Sequence, residues 1–172
     1  MGDVYIEHLV KKKPDAKSML AKLGISIAFG IVAGVLFILS LNNLPILLAL
    51  VVAAVFVALY CVSFFNIEYE YIFTNGELDI DIIYSKSRRK RLFTGEIKSF
   101  EVMCHVSDSG HEHAFTRADV KKDYSSGDVK ENTYKFFVNQ KGKRYAIAFE
   151  PNDELLQAFR PYMGTSKLII KK

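Results

Sequence analysis

The chain lacks several features that would place it in a familiar class. It contains no tryptophan and only two cysteines. Cys61 lies inside a long apolar run and Cys104 lies well beyond it, so we expect no disulfide between them. The cysteine content therefore gives no indication of an oxidising compartment.

Catalytic motifs are missing as well. The sequence has no G-x-S-x-G, no H-E-x-x-H and no glycine-rich loop that could hold a phosphate group. Because an enzyme needs a nucleophile or a metal centre in a pocket, we expect a protein that is not an enzyme and has no cofactor. A metal-dependent enzyme is the less favoured alternative.

Charge is absent from one long stretch. From Leu23 to Ile67 there is no Asp, Glu, Lys, Arg or His. A membrane-spanning helix needs about 20 apolar residues, so this run can form two helices, and Asn42–Pro45 interrupts it near its middle. The sequence predicts a two-helix transmembrane hairpin at 23–67, integral to the lipid bilayer.

Positive charges flank this hairpin on both sides but are absent from its loop. The positive-inside rule then places both termini in the cytoplasm, so we expect a multi-pass protein of the cell membrane. The flanking residues are Lys11, Lys12, Lys13, Lys17, Lys22, Arg88, Arg89, Lys90 and Arg91.

The residues before the hairpin, 1–22, form a cytoplasmic leader. Val4–Val10 has a small apolar face, which fits either a short interfacial helix or a frayed polar segment. Pro14 followed by Asp15 is a favourable helix start, because proline suits the first turn and an acid complements the helix N-terminus. We therefore expect the first helix to begin before the membrane.

Small residues recur at four-residue spacing in both spans. Gly30 and Gly34 form such a pair in the first helix, and Ala49 and Ala53 form one in the second. This spacing lets helices approach closely in lipid. We expect it to pack the two helices together, with homo-oligomerisation through the glycines as the alternative.

The spans contain no ionisable residue that could line an ion pathway. This argues against a transporter acting alone but leaves an accessory subunit of a transporter or secretion complex open.

A β-hairpin opens the soluble part, 68–172. Apolar and polar residues alternate on both sides of Asn75-Gly76, a dipeptide that supplies the positive φ angles of a type I′ turn. The resulting register puts Glu70 opposite Asp81. Because like charges that face each other are unfavourable, basic side chains should lie nearby.

The nearest basic side chains follow the second strand in one short segment. Two roles fit them: a solvated turn that offsets the acidic face, or a surface for anionic lipid headgroups or a partner protein, where each cation contributes on the order of 1 kcal/mol. No aromatic residues interleave them as stacking platforms, so we expect no nucleic acid. The segment consists of Lys86, Arg88, Arg89, Lys90 and Arg91.

Ile97–Val106 has the alternation of a strand, in which neighbouring side chains point to opposite faces. Cys104 should then lie in the core and His105 should point outward. With His111 and His113 they do not make a recognisable zinc spacing, so we expect no metal site.

Ser107–Asn132 is long for a connection, which is typical of a functional or mobile loop, and a short strand is expected near Ala118–Tyr124. The remaining predictions are strands at Thr133–Asn139 and Arg144–Glu150, a helix capped by Asn152, and a Lys167–Lys172 tail at a sheet edge or on the membrane. Altogether the pattern predicts an antiparallel sheet of about six or seven strands with one C-terminal helix.

Several stretches resemble a known family: Glu68–Thr74, Asn75–Asp79, Ser87–Phe93, Lys122–Gly127 and Phe149–Leu156. They are similar to a family of clostridial two-helix membrane proteins, a domain of unknown function with a bacterial pleckstrin-homology-like (PH-like) soluble domain. The resemblance implies a membrane hairpin plus a small α+β, mainly β, domain, either an open sheet or a partly open barrel. It implies no activity. The headgroup pocket of lipid-binding relatives is not expected, because the turn beside it is here only Asn75-Gly76.

These observations favour a membrane-anchored, non-catalytic interaction module that faces the cytoplasm and binds protein or anionic lipid.

Overall fold

The computed structural model describes residues 4–41, 46–108, 110, 112–129, 131–163 and 168–169. The Asn42–Pro45 loop, His111 and most of the Lys167–Lys172 tail lie outside them. The helices are α1 (Ala16–Ser40), α2 (Ile46–Ser63), α3 (Glu112–Thr116) and α4 (Asp153–Met163). The strands are β1 (Tyr5–Lys11), β2 (Ile67–Thr74), β3 (Glu77–Tyr84), β4 (Arg88–Glu96), β5 (Phe100–His105), β6 (Val120–Asp123), β7 (Tyr134–Gln140), β8 (Lys143–Phe149) and β9 (Leu168–Ile169).

The chain divides into two compact units. One unit holds the strands and consists of the described residues of Met1–Lys13, Glu68–Ile83 and Arg89–Lys172. The other consists of the described residues of Pro14–Ile67 and Tyr84–Arg88, and it holds α1 and α2.

The two apolar helices match the predicted hairpin. Asp15 caps α1, and its side chain accepts a hydrogen bond of 3.0 Å from the Ser18 N–H, so the helix begins before the uncharged run, as expected. Both helices are long and apolar enough to cross a bilayer. None of their described residues is buried within the protein. A helix that is apolar on all sides normally lies in a protein core or in a membrane.

The first sheet has the strand order β1-β2-β3-β4. β1 pairs antiparallel with β2, from Tyr5 opposite Thr74 to Lys11 opposite Glu68. The two alternatives for the leader, an interfacial helix or a frayed segment, were therefore both wrong. Ile6 and Val10 alternate with outward side chains and are buried, so burial on one face and a backbone ladder on the edge hold this segment as a strand.

The β2–β3 turn is the predicted one. Asn75 and Gly76 have φ angles of 49° and 97°, as a type I′ turn requires. The predicted apolar face is buried at Tyr71, Phe73 and Leu78, among others.

The second sheet has the order β6-β8-β7-β5-β9. β6 pairs in parallel with β8, which confirms the expected strand near Ala118–Tyr124. β9 pairs in parallel with β5, so residues 168–169 of the tail take the edge position. β1 and β9 bring the described strands to nine, above the six or seven expected, and the two sheets do not close into a barrel.

A bulge in β5 overturns the prediction for His105. The register with β7 shifts between Phe100 and Val102, and one extra residue moves the following side chains to opposite faces. His105 is consequently buried at 5 % exposure instead of pointing outward. Cys104 is buried as expected, but it packs on the other face of the sheet, in a cluster with Phe115 of α3.

Aromatic side chains form most of the core around the sheets. Phe100 stacks on Phe136 with ring centroids 4.2 Å apart, and Phe73 meets Phe159 of α4 edge to face at 5.2 Å. The Asn152 side chain accepts a 2.9 Å hydrogen bond from the Leu155 N–H, so the predicted cap of α4 is present.

Candidate functional site

The turn between β3 and β4 lies in the same unit as the apolar helices. Ser85 and Lys86 both have positive φ, 51° and 58°, and the Ser87 N–H donates a 3.1 Å hydrogen bond to the Tyr84 carbonyl. A tight turn of this kind matches the twist of its two strands. It presents the side chains of Lys86 and Arg88 to solvent.

This turn is attached to the end of α2. The Ser85 hydroxyl donates a 2.5 Å hydrogen bond to the Ser63 carbonyl, and the Ser85 N–H donates to the Asn66 carbonyl at 2.9 Å. The Arg88 guanidinium lies 5.7 Å from the centre of the Phe64 ring. These contacts hold the turn where α2 ends.

Lys22 adds another cation at the end of α2. The Lys22 ammonium donates a 3.3 Å hydrogen bond to the Asn66 side chain, and Lys22 precedes the uncharged run of the hairpin. Lys22, Lys86 and Arg88 therefore belong to one end of the helical hairpin. We call Lys22, Lys86 and Arg88 the basic rim.

The other two basic residues of the predicted segment face the acidic side of the sheet. The Arg89 guanidinium is 2.7 Å from the Glu70 carboxylate. Arg91 pairs with Asp81 and also reaches Asp79 at 2.5 Å. Hydrogen bonding to Asp81 raises the pKa of Arg91 further above its usual value. Side chains alternate between the two faces of a strand, so residues 89 and 91 share one face of β4. This is why Arg89 and Arg91, and not their neighbours, pair with the acidic side chains.

The exposed members of the segment have a different environment. Lys86, Arg88 and Lys90 are exposed, and among the described residues no carboxylate pairs with them. The sequence left two roles open for this segment, and the structure divides it into two ion-paired arginines and an exposed set.

The small residues of the hairpin also separate into two groups. Gly30 and Gly34 are exposed, and nothing lies within 4 Å of the position that a Cβ would take. Ala49 and Ala53 are exposed too, whereas Ala54 and Ala58 are partly covered. A side chain added at either glycine would therefore meet no described residue of α2.

Among the described residues, the sulfur and imidazole groups do not converge. His105 Nδ1 lies 2.7 Å from the Ser107 hydroxyl, and its ring meets Tyr134 edge to face. Cys104 is on the opposite face of the sheet, where burial raises the pKa of its thiol to about 11. Over the described part of the chain, which leaves out His111, no three His, Cys, Asp or Glu side chains form a metal-binding group.

Sequence reasoning missed one buried polar network. The Tyr71 hydroxyl donates a 2.6 Å hydrogen bond to the Tyr124 carbonyl and accepts one of 3.1 Å from the Glu150 N–H. One Glu150 carboxylate oxygen accepts from both the N–H and the hydroxyl of Ser126. The only sequence signal was a charged residue at the end of a predicted strand.

The family model described as a bacterial PH-like domain, DUF6106, matches residues 2–168. The chain belongs to this family. The match includes β1, the two apolar helices and both sheets, so the helices are part of the family's pattern and not a foreign addition. PH-like domains are generally non-catalytic. No curated protein and no solved structure matches the chain.

Proposed function

We propose that this PH-like protein is a membrane-anchored, non-catalytic interaction module whose basic rim binds anionic lipid headgroups at the cytoplasmic surface. The observation that carries the proposal is the attachment of the Ser85–Arg88 turn to the end of α2. A helix that spans a bilayer ends at the headgroups, so cations fixed to that end lie where anionic lipids are.

The pairing of β1 with β2 supports a common side for both ends of the hairpin. Lys11 lies opposite Glu68, and the hairpin is the connection between these two strands. The strands that precede and follow the hairpin therefore belong to one sheet. With the flanking lysines and arginines, the positive-inside rule assigns that side to the cytoplasm.

Lipid retention by the purified full chain tests the proposal. We expect the chain in detergent micelles to retain more phosphatidylglycerol than phosphatidylcholine by native mass spectrometry, and salt to reduce the difference because it screens exposed charges. Joint replacement of Lys22, Lys86 and Arg88 by alanine should lower phosphatidylglycerol retention at least about tenfold, because each cation near an anionic surface contributes on the order of 1 kcal/mol.

A matched control removes as many charges elsewhere. Lys121, Lys122 and Lys143 are exposed on β6 and β8, and their joint replacement by alanine should leave retention unchanged. Equal retention of the two lipids by the wild type, or equal losses in the two triple variants, would contradict headgroup binding by the rim.

The open glycine face favours a second candidate, an accessory subunit of a larger membrane complex. Gly30 and Gly34 leave room for the backbone of another helix. If that is their use, Gly30→Leu with Gly34→Leu should shift the solubilised native assembly to the size of the isolated chain on a native gel. Gly24 also has open space around it, so Gly24→Leu is the control, and an unchanged assembly in the double variant counts against this candidate.

A further inference from the structure

β1 is the strand of the first sheet that directly precedes the first apolar helix in the chain. It lies at the edge of the first sheet, with β2 as its neighbour. Only residues 12–15 separate its last residue, Lys11, from the start of α1. β1 is therefore the strand that the chain leaves immediately before it enters α1.

The two faces of β1 differ. Ile6 and Val10 are buried toward the core, whereas Tyr5 and Leu9 are 61 % and 52 % exposed on the other face. Glu7 lies between these two on the same face. It is opposite Ile72, while Leu9 is opposite Glu70, so Glu7 and Glu70 are diagonal neighbours, a separation that long side chains can bridge.

Glu70 has one oxygen with a partner and one without. Its Oε1 accepts a 2.7 Å hydrogen bond from Arg89. Its Oε2 is buried and has no donor among the described residues, although the whole side chain is only 1 % exposed. A buried carboxylate oxygen without a donor is costly, and the carboxyl of Glu7 is the neighbour that interacts with the Glu70 carboxyl.

The surrounding charges do not supply the missing donor. β1 contributes Glu7, which accepts a 2.9 Å hydrogen bond from the Tyr5 hydroxyl. β3 contributes Asp81 and Asp79, and β4 contributes Arg89 and Arg91. Four carboxyl groups thus share two guanidinium groups, so the cluster is short of positive charge when all four are ionised.

We propose that Glu70 and Glu7 share one proton in a carboxyl–carboxylate hydrogen bond, and that this proton fastens the edge strand β1 to the sheet. Loss of the proton to solvent leaves two adjacent carboxylates that repel each other and frees β1. β1 is then a pH-dependent strap between the domain and the membrane hairpin, a regulatory role that goes beyond lipid binding.

The direction of the pH effect follows from the two carboxyl groups. Burial, together with the hydrogen bond to Glu7, raises the pKa of Glu70 to about 7, although Arg89 acts in the opposite direction. The same hydrogen bond lowers the pKa of Glu7. The folded state therefore holds an extra proton on Glu70 between the ordinary glutamate range and pH 7, and the attachment of β1 weakens as the pH rises through that window.

His8 is another titratable group of β1, and its protonation has the opposite effect. Its ring faces Tyr71, and burial lowers its pKa. Protonation of His8 on acidification would loosen β1, whereas protonation of Glu70 fastens it. The sign of the pH dependence thus separates the two groups.

Hydrogen exchange of the full chain in lipid nanodiscs tests the proposal. We expect protection of the amides in Tyr5–Lys11, corrected for the intrinsic pH dependence of exchange, to fall at least about tenfold from pH 5 to pH 8, since one unit of pKa shift corresponds to about tenfold. Glu70→Gln keeps an N–H donor toward Glu7 at every pH, so its protection should stay high and independent of pH.

Three further variants keep the test decisive. Glu77→Gln removes an exposed glutamate at the start of β3 and should keep the wild-type pH dependence, as should His8→Gln. Glu7→Gln supplies a donor from the other side and should also abolish the dependence, even if Glu70→Gln fails to fold. Wild-type protection that stays constant or rises with pH, or a decline that persists in Glu70→Gln or in a folded Glu7→Gln, would overturn the proposal.

Discussion

Glu70 and Glu150 are two glutamates with the same burial and opposite surroundings. Each is 1 % exposed. One oxygen of Glu150 accepts from the Ser126 N–H at 3.0 Å and from the Ser126 hydroxyl at 2.6 Å. Glu70 relies on Arg89, which is itself 55 % exposed, and on the neighbouring carboxyl of Glu7.

The difference shows that burial alone does not decide what a carboxylate does. Neutral donors of Ser126 hold one oxygen of Glu150, so this network ties the Tyr124–Asp128 loop to the end of β8. Charges and a proton satisfy Glu70, and both depend on solution conditions. The first glutamate is structural, and the second is suited to regulation.

The largest effect should come from removing the structural carboxylate. Glu150→Ala leaves the N–H and hydroxyl of the buried Ser126 without their acceptor, so we expect the free energy of unfolding to fall by about 3 kcal/mol. Urea unfolding of the full chain in micelles, followed by tyrosine fluorescence since there is no tryptophan, measures this. Glu101→Ala removes an exposed glutamate and should change little, and a loss equal to that of the control would refute the structural role.

Tyr71 belongs to the same network as Glu150, so its loss should also lower the free energy of unfolding. Tyr71→Phe removes the hydroxyl that donates to the Tyr124 carbonyl and accepts from the Glu150 N–H, at a cost of about 2 kcal/mol. Burial raises the pKa of Tyr71 far above its usual value, so the phenol stays neutral and the cost should be equal at pH 5 and pH 8. A cost that varies between these pH values would show that the network titrates.

Local features were predictable from the sequence because neighbouring residues decide them. Asn75-Gly76 specifies its turn through positive φ, and Asn152 caps α4 through its own side chain. The opposed charges of Glu70 and Asp81 also required basic partners, and Arg89 and Arg91 supply them.

Features that depend on distant residues were not predictable. β1 finds its partner β2 across both apolar helices, so no local pattern distinguishes it from an interfacial segment. The bulge between Phe100 and Val102 reverses the faces of β5 without an obvious sequence signal. In the candidate site, the division of the basic segment follows from the register of β4, which one shifted residue would have reversed.

Removal of Arg89 should lower the free energy of unfolding by less than removal of the Glu150 carboxylate or the Tyr71 hydroxyl. The loss should also depend on pH. Arg89→Ala removes the cation that lowers the pKa of Glu70, so Glu70 keeps its proton to higher pH. We expect a loss of about 1 kcal/mol at pH 8, because the guanidinium is half exposed. The loss should be smaller at pH 5, where Glu70 is already protonated, and unfolding at both pH values measures it. Lys90→Ala removes a neighbouring cation that pairs with no described carboxylate and should show no pH-dependent loss, and a larger loss at pH 5 for Arg89→Ala would reverse the assignment.

The smallest effect on stability should come from substitutions in the basic rim. Such substitutions should lower lipid retention while the free energy of unfolding stays nearly unchanged. Arg88 pairs with no carboxylate among the described residues and packs only near the Phe64 ring, so Arg88→Ala should alter the free energy of unfolding by less than about 0.5 kcal/mol. It should still lower phosphatidylglycerol retention. Arg88→Lys keeps the charge but loses the planar group over Phe64, so retention should recover if charge is what the lipid senses. Failure of the lysine to restore retention would assign the effect to packing against Phe64, and the rim would then be part of the attachment between the turn and α2 instead of a headgroup surface.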